Sequence, residues 1–189
     1  MENHHTSKPH SFYAVGLSYK KADAEIRGKF SLDAVAKTRL LEQAKTEGIE
    51  SLIVTSTCNR TEIYGFAEHP FQLIKLICEN SQGSVEAFQK YGFVYKNKEA
   101  VGHLFRVGTG LDSQILGDFE IISQIKTSFF QAKSVNLVNA FQERLINAVI
   151  QASKKIKTDT EISSGATSVS FASVQYILNN VDDIGNKNI

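Results

Sequence analysis

Short apolar runs recur in the first half of the chain and predict β-strands. Residues 12–17 and 51–55 are mostly apolar, a pattern typical of strands that are buried on both faces. Residues 61–66 alternate polar with larger apolar side chains, which is the period of two of a strand. A fourth strand is predicted over residues 91–95.

Two amphipathic stretches lie between these runs and predict helices. The first is predicted from an N-cap at Ser31 to Glu47, and Gly48 ends it. The second is predicted to start at Pro70. The order β-α-β-β-α-β is that of the ferredoxin-like split βαβ motif. The face predicted to be buried in the second helix contains Phe71, Ile74, Ile77 and Cys78.

In the second half of the chain, the sequence pattern predicts helices and no strands. The sequence has no proline after Pro70, so long helices are permitted. Apolar residues at helical spacing predict three helices, the last over residues 167–181. The predicted inward-facing positions are Phe119, Ile122, Ile125 and Phe129 in the first; Leu137, Phe141, Leu145, Ala148, Ala152 and Ile156 in the second; and Val174, Ile177, Leu178 and Val181 in the third.

The fold class predicted from these elements is α+β, with a ferredoxin-like part followed by an all-helical part. Residues 1–11 are predicted to be a disordered polar tail. Residues 12–96 are predicted to form the α/β subdomain that carries Cys58, and residues 97–164 a helical subdomain that completes the site. Residues 165–189 are predicted to be a helix and the lead into a further domain.

Composition narrows the class of protein. The chain has 189 residues, 42% of them hydrophobic, and 21 basic against 20 acidic side chains give a net charge of +1. The apolar content argues against a disordered chain. The near-neutral charge argues against a surface that binds nucleic acid throughout, although local basic patches stay possible. No apolar run approaches the roughly 18 residues of a membrane helix. Two cysteines and a polar N-terminus predict a cytoplasmic protein that is not bound to a membrane.

Cys58 is the first candidate for chemistry. It lies between two predicted strands among hydrogen-bonding neighbours, and the adjacent Arg60 favours the thiolate, which is the nucleophilic form. The alternative is a small buried cysteine beside a surface cation. Cys78 lies beside Ile74 and Ile77, which favours core packing. The two cysteines lack the spacing of a zinc or redox site, so no metal is expected.

His103 is a second titratable candidate, either as a general acid or base or as a core histidine. Gly108 and Gly110 form only a fragment of a dinucleotide fingerprint. The polar series that follows is either a loop with a helix N-terminus or the lining of a small pocket. Its members are Asp112, Ser113, Asp118, Glu120 and Gln124.

The block at residues 56–64, Ser-Thr-Cys-Asn-Arg-Thr-Glu-Ile-Tyr, resembles the signature around the catalytic cysteine of the glutamyl-tRNA reductases. Residues 103–106, 110–113 and 158–170 are similar to further blocks of that family and keep its order. Residues 15–19 also fit. The resemblance therefore runs through most of the chain.

This resemblance implies the first committed step of tetrapyrrole biosynthesis by the five-carbon route. Glutamyl-tRNA and NADPH give glutamate-1-semialdehyde and free tRNA, through a thioester on Cys58. The resemblance implies that Thr57, Asn59 and Arg60 bind the glutamyl group, and a guanidinium fork suits its carboxylate. His103 is implied as a second catalytic residue, which either deprotonates the thiol or assists the leaving oxygen. Further substrate contacts are implied for Ser113, Asp118, Phe119, Glu120 and Gln124.

The chain departs from the family pattern in one segment. The family reads Gly-Glu-x-Gln where this chain has Gly117, Asp118, Phe119 and Glu120. Asp118 has a shorter reach, and Glu120 adds a negative charge that a proton or the substrate α-ammonium group must offset.

The resemblance also implies partners and parts outside this sequence. NADPH is expected to be bound by a Rossmann domain downstream of Ile189. The family further implies a homodimer and a downstream glutamate-semialdehyde aminomutase as a partner.

Two other classes of function stay open from the residues. One is a stand-alone cysteine hydrolase or acyltransferase that uses Cys58 and His103. The other is a tRNA-binding module without catalysis, whose basic positions are equally well explained as a solvated helix face. Those positions are Lys126, Lys133, Arg144, Lys154, Lys155 and Lys157.

Overall fold

A four-stranded antiparallel sheet is the centre of the molecule in the computed structural model, which describes residues 10–160 and 169–180. Its strands are β1 (Ser11–Ser18), β2 (Leu52–Ser56), β3 (Arg60–Ala67) and β4 (Phe93–Lys96). They lie in the order β2-β3-β1-β4. Each neighbouring pair is antiparallel, so β1 and β2 run in the same direction with β3 between them.

The described part of the chain also contains eight helices. Four of them lie in sequence between β1 and β4, and the other four follow β4. The helices are α1 (Ala24–Lys29), α2 (Ala34–Thr46), α3 (Pro70–Asn80), α4 (Val85–Tyr91), α5 (Lys98–Gly108), α6 (Glu120–Ser134), α7 (Ala140–Asp159) and α8 (Val169–Asn180). The mixed α/β class and all four predicted strands are thus present.

The two faces of the sheet are covered by different helices. On one face, Thr61 Oγ1 contacts Ser56 Oγ, which accepts a hydrogen bond from the Leu32 backbone N–H next to α2. Glu62, Tyr64 and Phe66 point to the opposite face, because side chains two apart share a face. There Glu62 contacts His103 of α5, and Phe66 contacts Phe141 of α7. Covering both faces explains why these strands read as apolar runs.

The first predicted helix corresponds to α2 alone, and the short helix α1 before it was not predicted from the sequence. Asp33, not Ser31, caps α2, since its Oδ1 accepts a hydrogen bond of 2.8 Å from the Ala36 backbone N–H. Ser31 instead lies in the turn after α1, where its backbone N–H donates to the Gly28 carbonyl. Both side chains are good caps, and only the path of the preceding chain selects one.

A short helix replaces part of the fourth predicted strand. Tyr91 is the last residue of α4, which the sequence pattern did not predict, and β4 begins two residues later at Phe93. Ser84 caps α4 through a hydrogen bond to the Ala87 backbone N–H. Seven residues are too few to show a clear helical period, and the sequence pattern therefore assigned Tyr91 to a strand.

The predicted buried faces of two helices are partly wrong. In α3, Phe71 is 47% exposed, while Leu73 and Leu76 are fully buried. In α7, Phe141 and Ala148 are exposed. The reason is that polar residues belong to the inward face of α7, which hydrophobicity does not reveal. That face consists of Gln142, Leu145, Ile146, Val149 and Ser153.

Some predictions fall at or beyond the edges of the described residues. Most of the tail predicted over residues 1–11 lies outside them, but Ser11 already belongs to β1. Much of the block at 158–170, Val181 and the lead at 185–189 also lie outside. In α8, Val174 and Leu178 were expected to face inward but are 53% and 54% exposed. Helical spacing identifies an apolar face without identifying what covers it.

The described helices include none that is both long and apolar enough to span a bilayer. The buried apolar residues form one cluster that extends from the sheet into α5, α6 and α7. These three helices of the second half are therefore packed on the same core as the sheet.

Gly16 makes room for a large side chain inside the sheet. It pairs with Glu62 across β1 and β3. A Cβ atom at Gly16 would lie 2.3 Å from the Thr61 carbonyl oxygen and 2.8 Å from Glu62 Cγ. Two of the three nearest atoms belong to the backbone, so a side chain at this position would fit only if the backbone of β3 moved.

Replacing Gly16 with Ala should therefore lower the free energy of unfolding by about 2 kcal/mol or more, through overpacking. Gly28→Ala is the matched control, because a Cβ atom added to the exposed Gly28 of α1 would meet nothing within 4 Å. Helix propensity predicts no loss of stability there. Urea denaturation measures both. Equal stabilities of the two variants would contradict the close packing at Gly16.

Candidate active site

Cys58 lies at the tip of the connection between β2 and β3. The connection is tight because the Thr57 backbone N–H donates to the Arg60 carbonyl at 2.8 Å. Thr57 Oγ1 in turn accepts from the backbone N–H groups of Asn59 and Arg60, at 3.2 and 3.3 Å. The turn leaves the Cys58 side chain exposed. An exposed thiol on a hydrogen-bonded turn is a suitable nucleophile.

A small cavity opens beside this thiol. It brings together side chains from the turn and from the segment that leads into α6. Nearly all of the binding residues implied by the resemblance line it, and Ile121 is an apolar addition that the sequence did not indicate. The lining residues are Thr57, Cys58, Asn59, Arg60, Ser113, Asp118, Glu120, Ile121 and Gln124.

The segment between α5 and α6 reaches this cavity because it folds back on itself at two glycines. Gly110 and Gly117 both have positive φ, at 74° and 80°. The Gly117 backbone N–H donates to the Gly110 carbonyl at 3.1 Å. Asp118 Oδ1 then accepts from the Glu120 backbone N–H at the start of α6. Gly110, part of the incomplete dinucleotide fingerprint, thus serves a loop closure.

Arg60 is buried, and its guanidinium group is held by two acidic residues. Its Nη1 donates to Glu62 Oε1 at 2.9 Å. Its Nη2 donates to the backbone carbonyl and to Oδ1 of Asp112. Asp112 Oδ2 also accepts from Lys20 Nζ at 2.6 Å. Arg60 therefore ties the Cys58 turn to the segment that carries Ser113 and Asp118.

Glu62 is the centre of this network and has no exposed side-chain surface. Besides Arg60, its partners are Tyr64, whose hydroxyl donates to Oε2, and His103, whose Nε2 lies 3.2 Å from Oε2. His103 Nδ1 is buried without a partner among the described residues. Since Glu62 offers only acceptors as a carboxylate, the Nε2–H tautomer of His103 fits this arrangement.

The charges of this network compensate for its burial. Burial by itself raises the pKa of Glu62, but Arg60 and His103 outweigh it and hold that pKa below its ordinary value. Burial and the Glu62 charge raise the pKa of Tyr64 well above its ordinary value, so Tyr64 stays a hydrogen-bond donor. Against the cost of burial, Lys20 and Arg60 lower the pKa of Asp112. The acids of the network are thus ionised and paired.

His103 and Phe119 do not line the cavity beside Cys58. His103 lines a separate cavity of about 70 Å³, with Lys20, Phe93, Tyr95 and Asp112 among its neighbours. Phe119 is the residue before α6, and the Lys157 ammonium group lies 5.7 Å from its ring centroid. Among the described residues, His103 is connected to the cysteine turn indirectly, through hydrogen bonds that link it to Glu62 and Glu62 to Arg60.

Arg27 is a site residue that the sequence reasoning missed. Its Nε donates to the Cys58 carbonyl at 3.0 Å, and its Nη1 donates to the Ala22 carbonyl at 2.7 Å. The contact with Cys58 spans 31 positions of sequence. No local motif surrounds Arg27, so only the folded chain shows that it fixes the cysteine turn. Glu62, by contrast, is part of the quoted signature. Its charged side chain within a predicted strand was a sequence feature that could have indicated its role.

Cys78 differs from Cys58 in exposure and chemistry. It is partly buried on α3, and burial raises the pKa of its thiol to about 11. Cys78 is therefore a neutral thiol at pH 7 and a poor nucleophile.

The described residues also bear on metal binding and on RNA binding. Within residues 10–160 and 169–180, no group of three or more His, Cys, Asp or Glu side chains is arranged to hold a metal ion. Of the basic positions, Lys133 is paired with Glu143, and Lys154 and Lys155 are exposed on α7.

Replacing Glu62 with Gln should lower the free energy of unfolding at pH 7 by about 3 kcal/mol, because Arg60 loses its buried counter-charge. The control is Glu25→Gln, which removes an exposed carboxylate that bonds Lys29 one turn away and should change little. Urea denaturation of both variants is the measurement. Similar stabilities would contradict a structural role for the buried charge.

The ionised state of Glu62 also predicts how the free energy of unfolding depends on pH. Because the pKa of Glu62 is lower in the folded than in the unfolded chain, its stabilisation is complete above an unfolded pKa of about 4.3 and is lost as pH falls below it. The stability difference between the parent chain and Glu62→Gln should therefore narrow from about pH 5 down to the acid limit of folding. A constant difference across this range would count against the ionised Glu62.

Comparisons with known proteins identify the family of this chain. A sequence model of the family described as "Glutamyl-tRNAGlu reductase, N-terminal domain" matches residues 15–160. The chain is 75% identical over 189 residues to glutamyl-tRNA reductase of Flavobacterium psychrophilum and 69% identical to that of Christiangramia forsetii. All of this chain is covered in both matches, but only 46% and 45% of those proteins. The chain thus spans about half the length of these relatives.

A solved structure gives the same result for the fold. Glutamyl-tRNA reductase from Methanopyrus kandleri superimposes with a TM-score of 0.71 at 25% sequence identity, covering 89% of this chain and 39% of that one. The family model and the fold agree over most of the described residues. On this basis, the chain belongs to the glutamyl-tRNA reductase family, in which it corresponds to the N-terminal domain.

Proposed function

We propose that this chain performs the acyl-transfer half of glutamyl-tRNA reduction, in which Cys58 takes up the glutamyl group. The observation that carries the proposal is the exposed Cys58 thiol at the edge of a cavity whose lining is rich in hydrogen-bonding groups. The thiolate attacks the ester carbonyl carbon, a C–S bond forms, and the C–O bond to the ribose breaks. The thiol proton ends on the ribose oxygen, which leaves as the free 3′ end of the tRNA.

The charges around the cavity support binding of a glutamyl group. Arg60 supplies a positive charge, and not all of its N–H groups are used by Glu62 and Asp112. We assign Arg60 to the side-chain carboxylate of the substrate, and Asp118 and Glu120 to its α-ammonium group. The uncharged lining residues Thr57, Asn59, Ser113 and Gln124 complete the hydrogen bonding.

His103 is proposed as a positioning residue for this reaction. It holds Glu62, which holds Arg60, while the His103 ring lies against a different cavity. Phe119 is proposed as a substrate contact at the start of α6, where it lies between Asp118 and Glu120 in sequence. The geometry gives less support to the alternative of a Cys58–His103 hydrolase, since that requires both side chains at one cavity.

NADPH is the reductant implied by the resemblance, and the described residues do not fit it. Dinucleotide sites use a glycine-rich turn from a strand into a helix. The strand-to-helix connections described here are residues 19–23, 68–69 and 97, and they contain no glycine. The reduction step is therefore assigned to none of the residues that the structure describes.

The finer predictions about fold and assembly also remain proposals. A ferredoxin-like split βαβ unit is supported by the strand order, by the antiparallel neighbours, and by the parallel direction of β1 and β2 on either side of β3. The homodimer and the aminomutase partner rest on the resemblance alone, and the cytoplasmic location rests on the two cysteines and the polar N-terminus.

Incubation of the chain with glutamyl-tRNA should produce a covalent glutamyl adduct on Cys58, detected by mass spectrometry of the intact chain and its peptides. Cys58→Ser should remove the adduct. Cys78→Ala is the control and should retain it, because the Cys78 thiol is neutral at pH 7. Release of free glutamate without an adduct would favour the hydrolase, and tRNA binding without either product would favour a binding module.

Glu120→Gln should reduce the preference for a free α-amino group. The rates of adduct formation with glutamyl-tRNA and with N-acetylglutamyl-tRNA are compared, and their ratio should fall by up to about fivefold, the range of a partly exposed ion pair. Glu99→Gln removes an exposed charge at the start of α5, away from the cavity, and is the control. An unchanged ratio would remove Glu120 from the ammonium site.

A further inference from the structure

A second cavity lies beside the first one, on the side of α6 that faces β2. Its volume is about 260 Å³. It lies between the end of β2, Lys37 of α2 and the first three turns of α6. Every residue that lines it has a polar side chain, among them Lys37, Thr55, Ser56, Gln124, Thr127 and Gln131. We call it the Lys37 cavity.

Thr55 gives this cavity an unused hydrogen-bonding group. Thr55 is only 1% exposed. It pairs with Glu62 across β2 and β3, in a strand that packs against α6. Its Oγ1 has no hydrogen-bond partner among the described residues. A buried hydroxyl without a partner is rare, and a bound polar group would satisfy it.

Lys37 gives the cavity a positive charge that is not used in an ion pair within the described part of the chain. Its Nζ donates to the Ser56 carbonyl at 3.2 Å, which leaves two of its three donors free. Burial alone lowers the pKa of Lys37, and no nearby carboxylate among the described residues opposes that effect. A half-buried ammonium group without a counter-charge favours a ligand that is anionic or rich in acceptors.

Gln124 connects this cavity with the one beside Cys58, since it lines both. In glutamyl-tRNA a single ester bond separates the glutamyl carbon from the ribose. A substrate whose glutamyl group occupies the Cys58 cavity therefore places its ribose within reach of the neighbouring space.

We infer that the Lys37 cavity is the subsite for the 3′-terminal nucleotide of glutamyl-tRNA. This inference rests on the proposed acyl transfer to Cys58. Ribose hydroxyls and the polar edge of the base match Thr55 Oγ1 and the amides of Gln124 and Gln131, and Lys37 matches a phosphate or another acceptor. A dinucleotide cofactor presents the same chemistry, but only the tRNA end is bonded directly to the group that Cys58 receives.

The test compares two acyl donors, glutamyl-tRNA and the ethyl thioester of glutamate, which has no nucleotide. Lys37→Met should slow adduct formation on Cys58 from glutamyl-tRNA by about tenfold, the effect of one charged hydrogen bond. It should leave the rate with the thioester unchanged, which also shows that the variant is folded. Lys45→Met removes an exposed charge from the same helix and controls for general attraction of tRNA. Thr55→Val should act in the same direction as Lys37→Met.

A binding titration separates this inference from the proposed function. The trinucleotide cytidylyl-cytidylyl-adenosine should bind the parent chain and Lys45→Met, and bind Lys37→Met about tenfold more weakly, by calorimetry. Adduct formation that is equal in the two lysine variants would overturn the subsite and leave the acyl transfer standing. Lys37-dependent trinucleotide binding without any adduct would support the subsite and overturn the acyl transfer. NADPH binding that depends on Lys37, with none of the trinucleotide, would overturn the tRNA assignment.

Discussion

The negative charge of Glu62 lies fully inside the protein, between the sheet and α5, and most of the site geometry follows from how that charge is satisfied. A buried carboxylate is costly unless it is paired and fully hydrogen-bonded. Here Arg60, Tyr64 and His103 supply the donors. Gly16 supplies the space, because any side chain there would collide with Glu62 and the backbone beside it. The network thus joins two strands and a helix around one charge.

The same network fixes the exposed chemistry. Arg60 extends it to Asp112, and Asp112 holds the segment that brings Ser113 and Asp118 to the cavity. Arg27 holds the Cys58 carbonyl from another helix. The nucleophile is therefore exposed, but the backbone that presents it is held from two sides. Pre-organised surroundings of this kind lower the cost of reaching an acyl-transfer transition state.

The two neighbouring cavities suit the two parts of the aminoacyl ester that we propose as substrate. The cavity beside Cys58 carries charges of both signs, as an amino acid with a free amine and a carboxylate requires. The Lys37 cavity carries one positive charge among uncharged polar groups, as a nucleotide requires. Gln124 lies at their boundary, where the ester bond between the two parts of the substrate would lie.

The sequence by itself determined the strands, the start of α3 and the residues around Cys58, because these depend on local periodicity and on a contiguous signature. It also placed Ser113, Asp118, Glu120 and Gln124 at the site, although only through the family pattern. The cap at Asp33, the helix α4 and the polar inward face of α7 required the fold, since alternatives of similar local energy exist for each. Tertiary structure alone decided that His103 meets Glu62 rather than the cysteine cavity, that Arg27 holds the Cys58 carbonyl, and that Thr55 lines the neighbouring cavity. These contacts join residues from separate elements, and local sequence patterns contain no information about which elements meet.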